Sequence, residues 1–123
     1  METAEAARRW GAEWERGWRD HDIERIAPLY AEGCVFRSAP FRSPQEPRAF
    51  VEWAFSDEEK ADVWFGEPLV DGERAAVEWH AVSTLMSGAV ESLAGVSILR
   101  FNDAGLVVEE CGYWQSTSGR YER

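Results

Sequence analysis

Trp10, Trp14 and Trp18 recur every four residues, a spacing that places three indoles on one stripe of a helix. Trp79 and Trp114 lie instead in runs with a two-residue period, where a strand directs alternate side chains to one face. At 123 residues the chain has room for one domain, residues 1–123. A single domain that aims this much aromatic surface inward from a helix and from strands has either a heavily aromatic core or a pocket walled by rings. Charge narrows the partners. The 23 acids and 13 bases give a net charge of −10, which repels phosphate backbones and anionic membranes, so neither nucleic acid nor a membrane is an expected partner. The first residues lack the basic and apolar regions of a signal peptide, and no apolar run approaches the ~18 residues of a membrane span. The expected compartment is the cytoplasm. Cys34 and Cys111 imply no disulfide framework, no metal cluster and no cofactor.

Helical signals come first and strand signals follow. Thr3 can cap a helix over residues 4–19 that carries the Trp stripe. Asp22 can cap a second over 23–30, with Ile23, Ile26, Ala27 and Tyr30 on one face and Gly33 as its breaker. Residues 34–40 read as a strand. Ser43-Pro44-Gln45-Glu46 has the form of a capping box, although a third helix can also start at Pro47 and run to about residue 55. Residues 56–60 read as a charged connection. Strands are expected over 61–68, 74–85, 91–101 and 106–115, with Asp71-Gly72 as a hairpin turn. Residues 116–123 read as a flexible tail. Helices followed by a block of antiparallel strands is an α+β plan.

The order of these pieces carries a resemblance. A Trp-rich amphipathic helix is followed by Asp-Ile-Glu-Arg-Ile-Ala-Pro-Leu-Tyr-Ala (22–31) and Cys-Val-Phe-Arg-Ser-Ala-Pro-Phe-Arg (34–42). Then come Asp-Gly-Glu-Arg-Ala-Ala-Val-Glu-Trp (71–79), Leu-Arg-Phe-Asn-Asp-Ala-Gly-Leu-Val-Val-Glu-Glu (99–110) and Gly-Tyr-Trp (112–114). Over residues 5–115 the chain resembles the nuclear transport factor 2-like superfamily, which includes the ketosteroid isomerases and the SnoaL-like polyketide cyclases. The resemblance implies about three helices closing over a curved, mainly antiparallel sheet, a cone with an apolar pocket, and a homodimer through the outer sheet face. It does not imply the isomerases' own machinery. Their general-base Asp falls at Ser38, their oxyanion-holding Tyr at Trp14 and their neutral Asp at Ser97. A serine hydroxyl without an activating neighbour is no base near neutral pH, and an indole donates one hydrogen bond without trading a proton. The Asp-Arg-Asp set of the superfamily's epoxide hydrolases has no evident counterpart.

Strand parity selects the remaining candidates. If Trp114 faces the cone, so do Gly112 and Glu110, which makes Glu110 the one carboxylate aimed at the aromatic side and the candidate catalytic base. The alternative is a bulge at Gly112 that slips the parity and leaves Glu110 solvated. The expected pocket walls are Trp14, Phe36, Trp79, Leu99 and Trp114, with Ser38, Ser97 and Glu110 as polar points and the Trp14 indole N–H aimed at a ligand oxygen. Arg42 falls in a loop that the resemblance puts near the pocket mouth, where it binds a ligand carboxylate or enolate or else an acid of this chain. Glu78 and His80 share the face opposite Trp79 and read as outer residues. With Val82 they form the expected dimer row, centred on Val82, Ile98 and Tyr113. Cys34 faces in and Cys111 out, so they do not pair. Three readings remain: a small-molecule pocket with proton-transfer chemistry through Glu110, a non-catalytic binding module, and a protein-interaction dimer with a filled cone.

Overall fold

A computed structural model describes residues 1–123 and shows three helices and six strands, an α+β domain. Helix α1 spans Thr3–Asp20, with Glu2 rather than Thr3 at the N-cap position and no side-chain cap. Its buried face holds Ala6, Ala7 and Trp10. Helix α2 is a single turn, Ile23–Ile26, followed by a 3₁₀ turn, Ala27–Leu29. The expected helix to Tyr30 is cut short because Pro28 has no N–H for the helical ladder and its ring clashes with the preceding turn. Asp22 holds the N-cap position but makes no capping bond. Helix α3 is Pro47–Ser56, and the Glu46 carboxylate accepts from the Ala49 N–H at 2.7 Å. Pro47 therefore starts this helix, as the second of the two readings has it, and residues 43–46 do not.

Strand β1 begins at Tyr30 and runs to Arg37, four residues earlier than expected. Gly33, read as a helix breaker, instead lies at φ +76° where the β1 register shifts, a bulge conformation that suits a residue without Cβ. The other strands are β2 (Glu58–Phe65), β3 (Leu69–Asp71), β4 (Arg74–Leu85), β5 (Val90–Phe101) and β6 (Val107–Ser118). The sheet order is β1-β6-β5-β4-β2, with β3 beside the first residues of β4. β1 and β6 run parallel and every other pair is antiparallel. The sheet is curved and unclosed. Its concave side carries the alternating row Ala75, Val77, Trp79 and Ala81, all buried, and α1 packs across it. Trp10, Ile26, Val51, Val77, Leu99 and Val107 are the largest fully buried side chains of the core. No helix is long and apolar enough to cross a membrane.

Two expectations about the outer face change. β6 continues past residue 115 to Ser118, paired with Glu91 of β5. Beyond it the chain turns at Gly119 and lies across the outer side of the sheet. The Ser92 hydroxyl donates to the Gly119 carbonyl at 2.8 Å and accepts from the Tyr121 N–H at 2.8 Å. Arg120 pairs with Asp62 at 2.7 Å, and the Arg123 guanidinium sits 3.4 Å over Trp64. Val82, the cross-strand neighbour of both Asp62 and Ser92, is 2 % exposed. It is therefore covered within its own chain and does not stand at the centre of an open contact. Cys34 packs against the core and Cys111 points the other way, so both thiols are free.

Candidate functional site

Between α1, α3 and the concave face of the sheet lies a cavity of about 450 Å³, within the range of small-molecule sites. Trp14, Phe36, Trp79 and Trp114 contribute rings to its wall, and Ser38, Ser97, Arg42 and Glu110 contribute polar groups. All eight are among the residues that the sequence singles out. Leu99, the ninth, is not in the wall. It has the inward parity expected of it, but it is 1 % exposed and belongs to the packed cluster with Trp10, Val77 and Phe101.

Glu110 faces in. Gly112 pairs directly with Ser97, and Glu110 with Leu99, with no slip between them. The bulge lies further back, between Arg100 and Phe101. Gly112 has a different role: a Cβ there would stand 2.7 Å from the Ser38 carbonyl oxygen, so a side chain would force β6 and the end of β1 apart. Glu110 is 5 % exposed. Desolvation pushes its carboxyl from 4.5 up to about 7, although hydrogen bonds from Tyr30 and Ser97 pull in the opposite direction.

Tyr30 organises this floor. Its hydroxyl accepts from the indole N–H of Trp10 at 3.2 Å and of Trp14 at 3.0 Å, and donates to Glu110 Oε1 at 2.6 Å. A phenol has one proton and two acceptor positions. Both acceptor positions are filled by tryptophans, so the proton has one direction left, toward Glu110. Oε1 is thereby held as an acceptor, which favours Oε2 as the oxygen that carries any proton of Glu110. Burial, reinforced by the adjacent carboxylate, raises the Tyr30 phenol well above its usual range, which keeps it a donor. The Trp14 N–H, expected to meet a ligand oxygen, is committed to Tyr30, and only the Trp14 ring is left for the cavity.

Ser38 and Arg42 form a second polar corner. The Ser38 hydroxyl donates to Gln45 Oε1 at 2.6 Å and accepts from Arg42 at 2.8 Å, while its carbonyl accepts the Trp114 indole N–H at 2.6 Å. The Arg42 guanidinium lies 5.5 Å from the Trp114 ring centroid, engaging a hydroxyl and an aromatic face rather than a carboxylate. Ser38, with no base beside it, is a structural tie between β1 and the loop that follows.

Several site residues are not legible as such in the sequence. Tyr30 reads there as a helical residue. Trp18, which the sequence places only on the helical stripe, lines the cavity with its N–H 3.0 Å from Glu58 Oε1. Glu58, in what reads as a charged connection, is 6 % exposed, and His21, at the C-cap of α1, stands 2.7 Å from it. Phe50 and Phe55 of α3 close the near side. Glu78 and His80 lie on the outer face, as expected; Glu78 is exposed, and His80 is the cross-strand partner of Trp64.

Known proteins place this geometry in context. No curated protein sequence matches the chain. Among solved structures, the Δ5-3-ketosteroid isomerase of a Mycobacterium species is 19 % identical, covers 97 % of this chain and 100 % of its own, and superposes with a TM-score of 0.72. SalBIII, an epoxide hydrolase/cyclase-like enzyme of pyran ring formation in the polyether salinomycin, is 14 % identical, with 95 % of both chains covered and a TM-score of 0.77. A computationally designed 17-OHP binder is 21 % identical, with 97 % and 100 % covered and a TM-score of 0.69. At these identities the likeness is one of fold, and the fold is shared by isomerase, cyclase and simple binder. A family model for the SnoaL-like domain matches residues 11–110, from the third turn of α1 to the carboxylate on the cavity floor, and the chain belongs to that family.

Proposed function

We propose that this SnoaL-like protein is an enzyme that takes a small apolar ligand into its aromatic cavity and moves a proton on it through Glu110. The observation that carries the reading is a buried carboxyl on the cavity floor poised at about 7, where acid and base forms coexist near neutral pH and proton transfer in either direction is most effective. Tyr30 fixes one carboxyl oxygen. Glu110 Oε2 then takes a proton from an acidic C–H or O–H of the ligand, the electron pair stays on the ligand, and the same oxygen returns the proton at another atom. Isomerisation, cyclisation and dehydration are all reachable from that cycle. The isomerase and cyclase among the structural relatives support the class and leave the substrate open.

Exchange with solvent deuterium tests this with surrogate ketones in place of the substrate. A panel of bicyclic and steroidal ketones, 2-tetralone among them, is incubated with protein in D₂O and deuterium α to the carbonyl is followed by NMR. The wild type is expected to exceed the buffer rate for at least one ketone, and Glu110→Gln to lose that excess by a factor of at least ~10². Ketone binding by the variant is expected to persist, because the shape is kept. Exchange that survives the substitution removes Glu110 from the chemistry; ligands that bind without any exchange leave a binding module.

We also propose that the chain forms a homodimer through the part of the outer face that its own C-terminal residues leave open. Tyr113 is 48 % and Val35 38 % exposed there, and Tyr113 is the cross-strand partner of Val96. Sedimentation equilibrium is expected to show a dimer that Tyr113→Arg weakens; a monomer at all concentrations refutes it.

A further inference from the structure

The end of the cavity away from Glu110 is built from residues that the proton-transfer reading does not use. Glu58 opens β2 and lines the cavity with its carboxyl. Oε1 accepts the Trp18 indole N–H at 3.0 Å and meets His21 Nε2 at 2.7 Å, where the imidazole must donate because a carboxylate only accepts. Oε2 accepts the Ser83 hydroxyl at 2.6 Å and a longer share of the Trp18 N–H at 3.2 Å. A carboxylate has roughly four acceptor positions. Three donors reach it, with the Trp18 N–H shared between both oxygens, which leaves room for one more. Ser83, 3 % exposed and also in the cavity wall, gives its proton to Glu58 and keeps its lone pairs.

The donors that reach Glu58 are all taken, and the Trp53 indole N–H, on a residue 66 % exposed, has no partner within the chain. The N–H groups of Trp18 and His21 and the hydroxyl of Ser83 end on Glu58. The Trp79 N–H ends on Ser97 at 3.2 Å, and Arg42, the one guanidinium in the wall, is occupied at the opposite corner with Ser38 and Trp114. What faces a ligand here is therefore a set of acceptors between aromatic faces. Trp18 and Trp79 meet edge to face with centroids 5.7 Å apart, and Phe55 stacks on His21 at 4.5 Å. Asp57 and Glu91 add negative charge to the same wall. His21 acts as a positioning residue. It caps α1 in the left-handed region at φ 52°, and that turn aims its ring at the carboxylate.

A site that offers acceptors, ring faces and negative potential, with every donor around its buried carboxylate already committed, complements one common functional group. A protonated amine carries several N–H donors on a compact cation and is attracted to aromatic faces. A ligand carboxylate is repelled, and a hydroxyl satisfies one acceptor without answering the charge. We infer that the Glu58 end of the cavity is a cation subsite, and that the ligand is an apolar molecule bearing a protonated primary or secondary amine. This rests on the reading of the cavity as a small-molecule site and is independent of whether Glu110 is catalytic.

Three probes of one shape test the inference by isothermal calorimetry at about pH 8: 2-naphthylmethylammonium, 2-naphthylmethanol and 2-naphthoate. The wild type is expected to bind the ammonium about tenfold more tightly than the alcohol, and the alcohol more tightly than the carboxylate. Glu58→Gln is expected to bring ammonium and alcohol to near parity while changing alcohol affinity less than about threefold. Glu78→Gln removes the same charge from the exposed outer face and is expected to leave the preference intact. An alcohol that binds as well as the ammonium in the wild type overturns the subsite and leaves the pocket standing, and this comparison needs no variant to fold. A preference that survives Glu58→Gln, or that Glu78→Gln abolishes equally, overturns it as well. Failure of all three probes to bind overturns the inference together with the pocket reading beneath it.

Discussion

Glu110→Gln is expected to make the protein more stable at pH 8 and to leave its stability at pH 4 nearly unchanged. The reason is the cost of ionising a carboxyl that is 5 % exposed. Burial raises the folded-state value from 4.5 to about 7, so the folded protein holds this proton more tightly than the unfolded chain does. Below the unfolded value both states carry it, and the stabilisation it gives is fully present. As pH rises toward 7, the unfolded chain has already released its proton and the folded protein has not. Each pH unit in that window therefore removes about 1.4 kcal/mol of stability. Above the folded value both states are ionised and the loss levels off at roughly 3 kcal/mol. Glutamine keeps an acceptor for the Tyr30 hydroxyl and has no charge to bury. Denaturant unfolding of wild type and variant across pH 4–8 checks this. The two curves should diverge between about pH 4.5 and 7 and run parallel above it. Curves that stay parallel throughout would mean that Glu110 is hydrated in the folded protein, and the proton-transfer proposal would lose its basis.

Replacing Tyr30 by Phe is expected to act in the opposite direction. One hydroxyl serves three partners, Trp10, Trp14 and Glu110. Its removal leaves the N–H of Trp10, a residue 2 % exposed, without an acceptor, at about 1–3 kcal/mol for the buried donor. Loss of the bond to Glu110 adds to this when the carboxyl is charged, giving roughly 2–4 kcal/mol in all. That bond also pulls the Glu110 value down, so its loss moves the titration midpoint above 7. The shift is read from the Glu110 side-chain carboxyl carbon by NMR. In the Tyr30→Phe, Glu110→Gln double variant the two effects should not add at pH 8, since one substitution removes the donor of this bond and the other removes the charge on its acceptor. Additive free energies and an unmoved midpoint would show that Tyr30 and Glu110 do not interact in solution.

Local patterns carry much of this architecture. The four-residue Trp spacing marks α1, Asp71-Gly72 marks the β3–β4 hairpin, and two-residue alternation puts Val77, Trp79, Glu110 and Trp114 on the concave side. These are short-range consequences of helix and strand period, and a single chain displays them directly. Parity gives a face but no depth. Leu99 and Trp79 share the inward direction, yet Leu99 is packed beneath the cavity while Trp79 lines it, because α1 meets the sheet at one end and stands off at the other. Val82 has the outward parity expected of it and is still buried, since the chain beyond Gly119 returns across that face.

The polar network of the site has no local signature at all. Glu58 sits in Asp57-Glu58-Glu59-Lys60, which reads as a solvated turn. It is buried because Trp18, His21 and Ser83 reach it from 40, 37 and 25 residues away. Tyr30 looks like the last residue of a helical face, and only Pro28 hints that the helix stops before it. Its hydroxyl meets Glu110 across 80 residues of sequence. Which elements form, and which way their side chains point, is written in the order of the residues, because both follow from backbone period. Which carboxylates lose water, and which donors hold them, is set by the folded arrangement, because desolvation and hydrogen-bond closure depend on groups brought together only when the sheet curves around α1.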